Sequence, residues 1–153
     1  MRVVFDIEAN GLEAPTQIWC IVCKDIDTGE INIFREVTKD ATELVRFREF
    51  YAKVTLWVGH NILGYDFPVM CSLLDVVLPP IGMVLDTLII SKMSDYSREG
   101  HSIEQYGIEF DFPKGNINDF SKFTKEMEEY WPDVDIDLAC FRVDEKIRNI
   151  RKD

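Results

Sequence analysis

No apolar run in this chain approaches the ~18 residues needed to cross a membrane as a helix. The N-terminus lacks the basic, apolar, small-residue order of a secretory signal. Positive charge is also scarce, with 17 Lys and Arg against 28 Asp and Glu and a formal net charge of −11. A broad basic surface that grips long duplex by its phosphates is therefore excluded. A cluster of acids can still meet phosphate through a metal ion, and the surplus negative charge also serves solubility. There are four cysteines and a single C-x-x-C pair, Cys20 and Cys23, with no second half-site. Without a secretory signal the thiols are expected to be reduced. The C-x-x-C pair lies in a strand-like run, where an odd offset sends the two sulfurs to opposite faces. Structural core cysteines are expected rather than a zinc or redox site.

What the chain does have is 153 residues with 46% hydrophobic content, enough for one domain with its own core. No repeat, low-complexity tract or linker interrupts it, so residues 1–153 read as a single domain.

Strands are expected over residues 2–7, 18–24 and 30–35. Asp27-Thr28-Gly29 forms the hairpin signal between the last two. Residues 40–53 carry Leu44, Phe47, Phe50 and Tyr51 at helical spacing. A short strand follows at 55–59, a helix at 66–74, and a short strand or turn at 84–87. Residues 101–107 read as a short helix stopped by Gly107. A loop is expected from Phe112, a helix near Thr124, and a last helix over 133–150. Strands first, then alternating helices and strands, give an α/β domain: a mixed sheet with an antiparallel N-terminal meander, flanked by helices.

The chemistry starts at Asp6-Ile7-Glu8. Residues i and i+2 of a strand share a face. Two same-facing acids after Val3-Val4-Phe5 are costly to bury unless paired or metal-bound. Their oxygens suit a hard cation such as Mg²⁺. A strand end meeting solvent is the plainer reading of the same residues. Asp66, behind Gly59-His60-Asn61-Ile62-Leu63-Gly64-Tyr65, opens a helix, and taken alone its plainer reading is an N-cap. Tyr130 and Asp133, three positions apart, share roughly one side of a helical turn; a core tyrosine beside a solvated acid is the alternative.

Together the order D-x-E, N-x₄-D and Y-x-x-D resembles the DEDD 3′–5′ exonuclease superfamily in its tyrosine-bearing branch. It looks most like the proofreading exonuclease domain of bacteriophage family A DNA polymerases. Leu85-Asp86-Thr87-Leu88, His101-Ser102-Ile103-Glu104, Phe112-Pro113-Lys114-Gly115 and the run from Asp119 to Tyr130 extend the resemblance over nearly the whole chain. It implies a ribonuclease H-like fold and two divalent ions, Mg²⁺ or Mn²⁺, held by Asp6, Glu8, Asp66 and Asp133. Tyr130 would orient the attacking water. Asn10, Gly11, Leu12 and Asn61 would hold the terminal nucleotide, with Leu12 wedged against a base or, alternatively, a core leucine.

The implied activity is release of 5′-mononucleotides from the 3′ end of single-stranded DNA, with RNA as runner-up. The implied setting is the cytoplasm of a phage-infected bacterium, acting alone or with a separate polymerase subunit, with no membrane partner. Two departures stand out. The family spacing is Y-x-x-x-D, whereas Tyr130 plus four is Val134; Asp133 is preferred over Asp135. The 153 residues are expected to form the exonuclease domain without an attached polymerase domain. The altered spacing motivates a second reading, a degenerate module that binds nucleic-acid ends or a protein without cutting.

Overall fold

The computed structural model describes residues 1–111, and the chain divides between Arg98 and Glu99 into two compact units. The first unit holds a five-stranded sheet. Strand β1 (Arg2–Ala9) pairs antiparallel with β2 (Ile18–Asp25), and β2 pairs antiparallel with β3 (Ile31–Arg35). Helix α1 (Ala41–Tyr51) then leads to β4 (Leu56–Gly59), which runs parallel to β1 on its other side. Helix α2 (Asp66–Leu74) and a 3₁₀ turn (Ile81–Met83) lead to β5 (Val84–Asp86), parallel to β4, and helix α3 (Thr87–Ser94) follows directly. The strand order is β3-β2-β1-β4-β5. This is the expected mixed sheet with an antiparallel meander on one side.

Alternation in β1 decides which face is which. Val3, Phe5, Ile7 and Ala9 are buried, whereas Arg2, Val4 and Asp6 are exposed and Glu8 is half-buried. The buried face meets α1 and α2. Phe5 lies edge-on to Trp57 and tilted against Phe67, with centroids 4.9 and 5.3 Å away, and Phe34 meets Phe47 at 5.2 Å. Each buried aromatic contributes a large apolar area, and edge-to-face packing adds to it. Arg48 of α1 donates to the Leu74 carbonyl at 3.0 and 2.7 Å, capping the end of α2 and tying the two helices together.

Strand β2 is buried throughout Ile18–Cys23, as befits a central strand covered on both faces. Cys20 registers with Glu8 and Cys23 with Phe5, so their side chains leave by opposite faces. Both are free thiols in the core, and burial pushes Cys23 far up. The β2–β3 turn is closed by Asp25, whose carboxylate accepts from Asp27 and Thr28 at 2.7 and 3.0 Å. Gly29 takes the left-handed conformation there, with φ 75°.

Two boundaries differ from expectation. β1 continues through Ala9, so both acids lie inside the strand and not at its end. In the second unit, α4 (Ile103–Glu109) runs straight through Gly107. Its start is fixed by a reciprocal Ser102–Gln105 capping box, and one interior glycine costs a helix only about 1 kcal/mol. The expected elements from Phe112 onward, with Tyr130 and Asp133, lie outside the described residues. No helix among the described residues is long and apolar enough to cross a membrane.

Candidate active site

The site begins where β4 stops. β4 pairs with β1 from Arg2 to Val4 and ends at Gly59, against Phe5, so beyond that point one edge of β1 has no strand beside it among the described residues. Arg2 gives its carbonyl to Ile26 on the β2 side, and backbone groups alternate along a strand. The Ile7 amide therefore points to the open side. There the Asp66 carboxylate accepts it at 3.2 Å. Asp66 is the first residue of α2, whose N-cap position is Tyr65. Asp66 is therefore not the N-cap residue, and its side chain is spent on the neighbouring strand and on its own amide.

This placement brings three acids into one electrostatic neighbourhood. Asp6 and Glu8 occupy the same face of β1, and Asp66 reaches the strand from α2. Asp66 is only 4% exposed. Burial is the main cause that pushes its carboxyl up to about 8, and the charges of Asp6 and Glu8 add to it. The bonds from the Ile7 amide and its own amide oppose the rise. The Tyr65 phenol is raised as well, first by burial and then by Asp66, Glu8 and Asp6. Like charges in a low-dielectric pocket are what a cation relieves.

A divalent ion fits this donor set by its chemistry. The donors are carboxylate oxygens, which hard cations prefer, and a cation would favour the charged form of Asp66 that burial and its acidic neighbours disfavour. Among the described residues, no three His, Cys, Asp or Glu side chains converge tightly enough to form a ready-made cage.

The loop that delivers Asp66 is held from behind. Gly59 ends β4 against β1: a Cβ there would lie 3.0 Å from the Phe5 carbonyl oxygen and 2.4 Å from Ile62 Cγ2. Only glycine allows that approach. Asn61 has φ 61°, a left-handed conformation that asparagine tolerates better than most residues. Its side chain lies against Gly64, where a Cβ would come within 2.4 Å of Asn61 Oδ1. Asp86, 5% exposed, accepts from the amides of Asn61 at 2.9 Å, Leu63 at 3.0 Å and Leu88 at 2.9 Å. Thr87 donates to the Gly59 carbonyl at 3.1 Å and lies 3.0 Å from His60 Nδ1. Since its one hydroxyl proton goes to Gly59, Nδ1 of His60 is the donor in that pair.

The β1–β2 loop forms the other wall. Asn10 is spent on closing it: Oδ1 accepts from Thr16 and Gln17 at 3.0 and 3.1 Å, and Nδ2 donates to Thr16 Oγ1 at 2.9 Å. The Gly11 carbonyl accepts from the Tyr65 hydroxyl at 2.5 Å, pinning this loop to the start of α2. Leu12, at the tip, is 73% exposed and lies outside the core that the described residues form. A bulge at Trp19 falls opposite the Glu8/Ala9 step. Bulges re-aim neighbouring side chains, and this one sits beside an acid of the site.

Of the residues singled out in the sequence, Asp6, Glu8 and Asp66 are thus brought together, with Gly11, Leu12 and Asn61 in the two loops beside them. Tyr130 and Asp133 lie outside the described residues. Asp86, Thr87 and the Tyr65 hydroxyl are not among the site residues to which the sequence points. The signal for the first two was an Asp-Thr pair at the junction of a short strand and a helix.

No curated protein matches the chain. A family model does, described as the RNase H superfamily and matching residues 3–121. The match covers well over half the sequence and agrees with the mixed sheet and its flanking helices: the chain belongs to the RNase H superfamily.

Proposed function

We propose that this chain is a metal-dependent 3′–5′ exonuclease that releases 5′-mononucleotides from single-stranded DNA ends. Membership of the RNase H superfamily suggests nuclease-type hydrolysis. The observation that carries the finer reading is the delivery of buried Asp66 to the strand that bears Asp6 and Glu8. Three carboxylates from two elements, one with its carboxyl pushed up to about 8, form a site whose charge calls for cations.

The reaction is hydrolysis of the terminal phosphodiester. A water oxygen bonds to phosphorus, the P–O3′ bond breaks, and the 3′ oxygen leaves with a proton. Asp6, Glu8, Asp66 and Asp133 would hold two divalent ions, Mg²⁺ or Mn²⁺; when bound, these activate the water and stabilise the leaving oxygen. Tyr130 would orient the water. Leu12, exposed at the loop tip, would rest against the terminal base. Gly11 and Asn61 would flank the approach of the terminal nucleotide, and Asn10 keeps the loop in shape. An acidic chain of this kind favours brief engagement of a strand end over retention on duplex, and a separate polymerase subunit could present that end.

The Tyr130 to Asp133 spacing supports a second reading, a module that binds ends without cutting them. One experiment separates the two. A 5′-labelled single strand is incubated with Mg²⁺ or Mn²⁺, beside Asp6→Ala protein and an RNA strand of the same sequence. Stepwise, chelator-sensitive shortening from the 3′ end, lost in the variant, supports the nuclease. An intact strand in both metals overturns it, and faster shortening of the RNA transfers the activity to exoribonuclease.

A further inference from the structure

The geometry assigns Asp86 and its neighbour Thr87 as positioning residues that aim Asp66 at strand β1 by clamping the turn between β4 and α2. The consequence for metal binding rests on the nuclease reading; the clamp itself does not.

Asp86 lies at the end of β5, registered beside Gly59, the last residue of β4. Its two carboxylate oxygens reach sideways to that strand's exit. Oδ1 takes the Asn61 and Leu88 amides, and Oδ2 takes the Leu63 amide. Thr87 adds a bond to the Gly59 carbonyl and accepts from His60. A two-residue stretch thereby fixes the turn at Gly59, His60, Asn61 and Leu63. Within that turn the chain takes a left-handed step at Asn61, and Asn61 then accepts from the amides of Gly64 and Tyr65 at 3.1 and 3.0 Å. Ile62 accepts from Phe67 at 2.9 Å. Each fixed point passes to the next until Asp66 emerges against the Ile7 amide.

A helix cap alone would not need this arrangement. Capping α3 requires one oxygen on Leu88, whereas Asp86 is nearly buried and spends both oxygens on another element's turn. A carboxylate is required because both oxygens accept. In Asp86→Asn one oxygen becomes an NH₂ group that opposes an amide N–H, leaving at least one buried donor without a partner. The turn must then shift, and a misplacement of ~1 Å at a reacting site can change rates on the order of 10²-fold.

The test is amide NMR of the metal-free protein combined with Mn²⁺ titration. The Ile7 amide reports the Asp66 bond directly, and its position in Asp66→Ala marks that bond broken. In folded Asp86→Asn the Ile7 amide should move toward the Asp66→Ala position. Half-saturating Mn²⁺, read by metal-induced rise in melting temperature and by cleavage, should increase by about 10-fold, with KM for the oligonucleotide little changed. An Ile7 amide at its wild-type position in folded Asp86→Asn overturns the assignment, whatever the activity. Should Asp86→Asn fail to fold, Thr87→Val, which removes only the hydroxyl clamp, decides by the same Ile7 readout. Wild-type protein that cuts no strand would overturn the nuclease reading, while the Ile7 amide would still decide the clamp.

Discussion

The backbone amide of Ile7 donates to the carboxylate of Asp66 across 3.2 Å, although 59 positions separate them in the chain. That bond ties the helix-borne acid to the strand between its two acidic residues, Asp6 and Glu8. Asp66→Asn keeps an oxygen acceptor for Ile7 and removes the charge. The fold should survive, because a neutral amide is less costly to bury than a carboxylate. Strand cleavage should fall by about 10–100-fold or more, since losing even an outer partner of a metal site costs that much. Circular dichroism and single-turnover cleavage measured together would check both halves.

The raised Asp66 carboxyl makes stability depend on pH in a definite direction. Its pKa is about 8 in the folded chain against an ordinary 3.8. Between those values the folded state binds the proton more tightly than the unfolded state. Its contribution is therefore fully present below about pH 4 and is lost as pH rises through about 8. For metal-free protein, the melting temperature should decline across this window more steeply in wild type than in Asp66→Asn. Added Mg²⁺ or Mn²⁺ should raise it more at pH 8 than at pH 5, since binding needs the deprotonated carboxylate. Thermal melts at a series of pH values, with and without metal, measure it.

The sheet and half of the site were legible because they rest on local pattern. Alternation along 2–9 places Asp6 and Glu8 on one face, and the apolar spacing of 66–74 marks α2. Asp66 stands out by its place in an ordered motif, but its bond to Ile7 does not, because it depends on β4 ending before it reaches Ile7. Two local signals for Asp66 competed, and the cap reading gave way once the strand edge offered a buried donor. The Trp19 bulge leaves no mark in a run where every residue is apolar. Gly107 was read as a stop, yet the Ser102–Gln105 box and the pairing of Tyr106 with Phe110, whose rings stack at 5.9 Å, carry the helix past it. Asp86 enters the sequence reading only within the Leu85-Asp86-Thr87-Leu88 stretch of the resemblance, with no role, because its partners lie 23 and 25 positions away.

Gly59 should tolerate no side chain. In Gly59→Ala the new Cβ meets the Phe5 carbonyl oxygen at 3.0 Å and Ile62 Cγ2 at 2.4 Å, and neither the strand backbone nor a side chain buried at 1% exposure can retreat freely. Overpacking of this kind destabilises by about 1–3 kcal/mol. Because Phe5 and Ile62 flank the turn that delivers Asp66, activity should fall further than stability alone explains. Urea unfolding compared with cleavage under conditions where the variant is fully folded distinguishes the two effects.

Tyr65 joins the two walls of the site, and its hydroxyl can be removed without touching its ring. Tyr65→Phe loses the bond to the Gly11 carbonyl, which is half-exposed and can be hydrated instead, so the stability cost should be near 1 kcal/mol or less. The acids stay where the Ile7 amide and the clamped turn hold them. What loosens is the Gly11-Leu12 tip, the part that the proposed reaction assigns to the terminal nucleotide. The expected change is therefore a higher KM for a single-stranded end with kcat largely kept, the signature of lost substrate binding. Steady-state kinetics on a short oligonucleotide decide it. A fall in kcat at unchanged KM would instead place the tyrosine hydroxyl in the service of the three carboxylates, whose charges already raise its phenol.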